Sequence, residues 1–171
     1  MAGSLEYVNK TVSDGSDTTL KVTGIDSDNV YVLVLKLIQT QNTNETINMR
    51  VTKSGTADST SNYDRAYQIL SNLSATNLGV YQNGTGSRII ENVNSANGGG
   101  QSIFYLFNFN SSSEYSFWTT ENVSTVSNQS AGLFGGAVHT VASASDGVEI
   151  YGTSNGTFIN GASAILYKLL S

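Results

Sequence analysis

Apolar positions along this chain recur mostly with a period of two. In SLEYVNKTV, Leu5 and Tyr7 fall on one side and Glu6 and Val8 on the other. LKVTGI alternates Leu20 and Val22 before Gly24 and the turn-forming DSDN. INMRV sets Ile47, Met49 and Val51 against Asn48 and Arg50. Successive side chains of a strand point to opposite faces, so these stretches predict β-strands, with Ile47, Met49 and Val51 inward. VYVLVLKLI at 30–38 is apolar at both parities and rich in β-branched residues, which predicts a central strand buried on both sides. NYDRAYQILSNL fits a helix through Tyr63, Tyr67 and Leu70, and a strand through Tyr63, Arg65, Tyr67 and Ile69; the strand is the preferred reading.

The second half continues the pattern. QSIFYLFNF aligns Ile103, Tyr105, Phe107 and Phe109 on one face, and after the turn NSSS the stretch EYSFWTT completes a hairpin. AVHTVAS and VEIYGTS flank the turn SASDG. Asn-Gly at 83–84 is a further turn signal, and NSANGGGQ at 94–101 reads as a flexible loop. The tail SNGTFINGASAILYKLL reads as a closing strand, with Ile165, Tyr167 and Leu169 inward and Leu170 outward at the end. Roughly ten short strands, with no helical segment long enough for a βαβ crossover, predict one all-β domain over 1–171, a sandwich or barrel.

Composition narrows the function. Of the 171 residues only 12% are charged, while Asn, Ser and Thr supply about a third. Nine Tyr, six Phe and one Trp are spread along the chain, and disordered sequences are poor in such residues. The net charge is −5, and the eight Lys and Arg are scattered, so no basic stripe is present for nucleic acid or an anionic membrane. Without Cys there is no disulfide, zinc-thiolate site or cysteine nucleophile. MAGSLEYVNK lacks the apolar core of a signal peptide, and the longest apolar run is about nine residues where a membrane helix needs about twenty. The expectation is a soluble protein.

Catalytic sets are sparse. His139, the only histidine, alternates with apolar residues in AVHTV and reads as structural. Asp14 with Asp17, Asp26 with Asp28, and Asp146 with Glu149 sit in turns, where carboxylates serve either calcium or turn geometry. None has the spacing of a calcium loop, so turn geometry is preferred. Glu91, Glu114 and Glu121 could pair as glycosidase carboxylates, but no motif surrounds them. NGGGQ lacks the Lys-Ser/Thr of a phosphate loop. Trp118 in SFWTT is the obvious stacking platform, although alternation sends most aromatics to the core. The expectation is a protein without enzymatic activity, cofactor or metal, suited to holding a shape or a contact.

Taken together, LEYVNKTV, LKVTGIDSDNVYVLVLKL, INMRV with NYDRAYQIL after a loop, IFYLFNFNSSSEYSF, ENVSTVSNQSAGLFGG and GTFINGASAILYKLL resemble small virion structural proteins of tailed bacteriophages, marine and cyanobacterial ones in particular. Two departures stand out. Lys53-Ser54-Gly55 replaces an Asn-Gly turn, and Tyr167-Lys168-Leu169-Leu170 replaces a Tyr-Gly-Ile ending. The resemblance implies a jelly-roll-like antiparallel β-sandwich of roughly 8–11 strands. Residues 1–8 are expected as an extended arm of that single domain. The resemblance implies a place in the virion without saying where; a small domain with no coiled-coil or shaft segment favours a capsid decoration (cement) protein on the virion surface, assembled in the host cytoplasm. Its partners would be the major capsid protein and copies of itself in a dimer or trimer, with neither nucleic acid nor membrane. The contact residues expected are Leu5, Tyr7, Tyr81, Trp118, Leu169 and Leu170. The alternative is a tail-tip or fibre module that recognises a host surface glycan.

Overall fold

The structure, a computed structural model, describes residues 3–42, 45–71, 77–93, 99–126 and 129–170. Within them the period-two pattern becomes thirteen strands and no helix: β1 (Ser4–Val12), β2 (Thr19–Thr23), β3 (Tyr31–Ile38), β4 (Glu45–Lys53), β5 (Thr56–Ala57), β6 (Tyr63–Ser71), β7 (Asn77–Gly84), β8 (Ser87–Val93), β9 (Gly100–Phe107), β10 (Ser116–Val126), β11 (Gln129–His139), β12 (Gly147–Gly152) and β13 (Ser163–Leu170). The preferred strand reading of Tyr63 to Leu70 is β6. Residues 72–73 and 94–98, part of the segments read as strand and loop, lie outside the described residues.

Eight strands form one sheet in the order β1-β13-β3-β9-β10-β11-β6-β7. The smaller sheet runs β2-β12-β4-β5, and β8 shares the far edge of β4 with the two-residue β5. Every pairing is antiparallel, so the expected all-β sandwich is found. The small sheet covers the large one from its β1 edge as far as β11 and β6. Its β2 edge packs by β1 and β13, and β8 packs by β10 and β11.

The core fills the space between the layers. Tyr31, Leu33 and Leu35 from β3, Phe104 and Leu106 from β9, and Trp118 from β10 meet Leu20, Ile47, Met49, Val51, Val148 and Ile150 from the small sheet. Fully burying one such aliphatic or Phe side chain contributes about 1.5–3 kcal/mol, so packing alone can hold a chain without disulfides. The inward set of β4 is the one its alternation predicts.

Three expectations change. In β13 the inward residues are Ala164 and Leu166, both fully buried, while Ile165, Tyr167 and Leu169 face away from the core. The register explains this: Ala164 pairs with Leu35 and Leu166 with Leu33, whose inward direction sets the parity of the whole strand. Leu170 therefore lies on the inward side, where the open end leaves it 39% exposed. In β9 the outward set is Ile103, Tyr105 and Phe107; Phe109 returns to the core only after the chain turns at Asn108, whose φ is +58°. Residues 4–8, expected in an extended arm, are instead half of edge strand β1, because their backbone groups pair with 167–170 of β13.

The turn signals find two uses. Ser54 and Gly55, both at positive φ, close the β4–β5 hairpin in the manner of a type I′ turn. Asn83-Gly84 does not close a hairpin: it carries the chain from β7 in the large sheet to β8 in the small one, with Asn83 at φ +56°.

Candidate functional site

The two outer faces of the sandwich differ in chemistry. On the small sheet, Glu149 lies 3.4 Å from Lys21 and 3.8 Å from Arg50, whose guanidinium stacks 3.9 Å from the Tyr151 ring centroid. That face is polar and internally paired. On the large sheet one cross-strand row reads Lys10, Ile165, Val34, Ile103, Glu121, Phe134, Gln68 and Leu78, in register over all eight strands. A neighbouring row aligns Phe107, Phe117, Val138 and Asp64. Between them stand Tyr105, Thr119, Gly136, Ala66 and Val80.

These apolar side chains face solvent. Ile103, Tyr105, Phe117, Val123, Phe134, Leu78 and Val80 are 42% to 80% exposed. Eight strands at about 4.8 Å spacing give a width of roughly 38 Å, and three rows give a face of roughly 700–800 Å², polar positions such as Lys10, Glu121, Gln68, Thr119 and Asp64 included. The largest apolar patch on a typical monomer is roughly 300–600 Å² and is often functional. The face is also sculpted. Gly136 lacks a side chain between its taller neighbours, leaving a hollow of about 540 Å³ bounded by Phe107, Phe117, Val138 and Val80. A second hollow of about 470 Å³ lies over Val34, Ile103, Val123 and Ile165. Such depressions accept projecting side chains from an opposing surface.

Of the residues expected to make contacts, Leu5, Tyr7 and Leu169 come together at the β1–β13 edge of this face. Leu5 pairs with Leu169, and Tyr7 packs edge-on to Tyr167 at 6.2 Å between ring centroids. Tyr81 lies at the opposite edge, on the other side of the sheet, beneath the Arg65 guanidinium at 4.7 Å. Trp118 is not a surface platform: it is 2% exposed, packed between Phe109 and Tyr63, because its parity on β10 is that of the core-facing Leu106. Leu170 lies off the face, on the inward side.

The residues that alternation passes over are those that build the face. In β9 both parities are apolar, so the pattern cannot say which set meets the second layer. In β10 the single Trp marks one parity, while Phe117 and Val123 occupy the other. The available signal is surplus: more apolar residues than one core face can bury.

The turn-borne carboxylates are engaged locally. Asp14 accepts from the Ser16 amide at 2.9 Å and hydroxyl at 2.6 Å, and these bonds lower its pKa. Asp26 accepts from Tyr31 at 2.8 Å and Lys168 at 3.2 Å. Asp146 accepts from Thr52 at 2.6 Å and from the Gly55 amide at 2.8 Å, which fixes the β4–β5 turn. Among the described residues no three potential metal ligands gather. Glu121 lies on the apolar face and Glu114 in the loop before β10, while the side chain of Glu91 is outside the described part. His139 is fully buried, with Nε2 3.2 Å from Asp58 Oδ2. No family model matches the chain, and no curated protein matches it.

Proposed function

We propose that the chain is a non-enzymatic structural protein of a tailed-phage virion, a decoration protein that seats the outer face of its eight-stranded sheet on the shell of major capsid protein. The observation that carries this reading is the exposed apolar face. A sheet that buries one side in a core and leaves Ile103, Tyr105, Phe117 and Phe134 on the other holds a surface made for cover. The outer face of that sheet, its polar positions included, approaches the roughly 800 Å² per partner of a standard protein–protein interface. The two hollows supply shape, and Glu121 and Lys10 supply polar points that orient an otherwise apolar contact. The resemblance to phage virion proteins supplies the partner. On a lattice of equivalent sites, modest contacts from many copies add up to a reinforced shell.

The test uses shells stripped of decoration. The wild-type chain is expected to co-sediment with them and delay their thermal rupture. Phe134→Lys combined with Ile103→Lys, both at exposed positions, is expected to stay in the supernatant while melting close to the wild-type temperature. Equal decoration by the variant, or no binding by the wild type, overturns the proposal.

A further inference from the structure

The chain has only three arginines, far apart in sequence at 50, 65 and 88. They reach one cleft from three strands of both sheets: Arg50 from β4, Arg65 from β6 and Arg88 from β8. The large sheet is wider than the small one, and the cleft opens where its β6–β7 end meets the β4–β8 edge. The volume is about 420 Å³, within the roughly 300–1,000 Å³ of small-ligand sites. Among the described residues that line it there is no carboxylate; Glu149 stands behind Arg50 at 3.8 Å, outside the lining.

The walls are built in advance. Arg50 Nε donates to the Thr85 carbonyl at 2.7 Å, and its guanidinium lies flat on Tyr151. The Tyr151 hydroxyl rests against Gly86, where a β-carbon would stand 2.3 Å away, so this wall requires glycine at 86. Asn48 Nδ2 donates to Thr153 Oγ1 at 2.9 Å. Burial pushes the Tyr151 phenol up against the opposing pull of Arg50 and Arg65, so both cations act on the same ring. Tyr81, 55% exposed, offers a ring at the mouth with Arg65 stacked on it.

We infer that this cleft binds a carboxylate-bearing saccharide. Guanidinium forks match a carboxylate with two parallel hydrogen bonds, and they do so best where water is partly excluded. An exposed tyrosine ring packs on the apolar face of a pyranose, while the side-chain amide of Asn83 suits sugar hydroxyls. Phosphate alone would leave the ring and much of the volume unused. The inference goes beyond the shell-seating reading and is independent of it, because the cleft lies on the other side of β6 and β7 from the apolar face.

Calorimetry with the full chain tests this, using tetragalacturonate, oligomannuronate and sialyllactose as acidic probes. Maltotetraose, inorganic phosphate and tetraglutamate are the comparisons. At least one acidic saccharide is expected to bind, with affinity falling as salt rises, and maltotetraose is not. Arg65→Gln and Tyr81→Ala are each expected to weaken binding by roughly tenfold. Tyr81→Ala alters an exposed side chain, so it keeps the test decisive should Arg65→Gln unfold. Absence of binding to all three acidic saccharides overturns the inference. So does binding that both variants leave intact, or equally tight binding of phosphate or tetraglutamate.

Discussion

His139 and Asp58 meet at the edge of the core, and both have lowered pKa values, the histidine through burial and the carboxyl through its hydrogen bonds and Lys53. The imidazole is fully buried, its ring centroid 4.9 Å from that of Tyr63. Burial lowers its pKa below the usual 6.5, against the opposing attraction of Asp58. Burial acts the other way on Asp58 and raises its pKa, but the Thr60 hydroxyl and amide, with Lys53 at 3.2 Å, outweigh it and hold the carboxyl at about 2. The two signs agree in direction. A histidine depressed on folding contributes stability that is complete above its unfolded pKa and lost as pH falls below about 6.5. A carboxylate depressed from 3.8 to about 2 contributes on the order of 2 kcal/mol above pH 4, lost as pH falls through that interval. Urea unfolding across pH is expected to show two acid-side declines. His139→Phe flattens the one below 6.5, and Asp58→Asn lowers stability at pH 7 and flattens the one between about 4 and 2. A wild-type profile level from pH 7 to 3 contradicts this account.

At the scale of strands and turns, much of the fold is legible in alternation. Ile47, Met49 and Val51 in β4 are apolar at one parity and polar at the other, so their direction is fixed by the residues themselves. In β9 and β13 both parities are apolar, and direction comes from the register with β3, which is a non-local fact. For that reason the closing strand reads one residue out of phase, and the exposed apolar face stays hidden among residues that look like core. The arginine cleft is illegible for a related cause: three residues scattered in sequence converge only through the pairing order of two sheets. Turn chemistry, by contrast, is local. Ser54 holds φ +50° ahead of Gly55 at +70°, the position where an asparagine is better tolerated than a serine. Ser54→Asn is expected to stabilise the protein by roughly 0.5 kcal/mol, read as a small upward shift in the melting temperature. A lowered melting temperature contradicts the type I′ assignment.

For the whole molecule, the decisive property is the asymmetry between its outer faces. The small sheet closes its charges on one another through Lys21, Glu149 and Arg50, leaving little to drive association. The large sheet offers apolar surface on a scale that solvent penalises, at about 25 cal/mol per Å² removed from water. With no shell to cover it, that face is available to a second copy, and two large-sheet faces can stack at the roughly 10 Å spacing of a sandwich. Glu121 near the centre limits the fit, since stacking copies must either bury that carboxylate or slide to spare it. Self-association is therefore expected to be weak, and stronger when Glu121 is replaced by Gln. Sedimentation velocity over a concentration series would show a reversible shift to larger species for the wild type and a larger one for Glu121→Gln. Phe134→Lys with Ile103→Lys would hold the chain as a monomer throughout. If the lysine pair associates as readily as the wild type, the apolar face is not the contact surface.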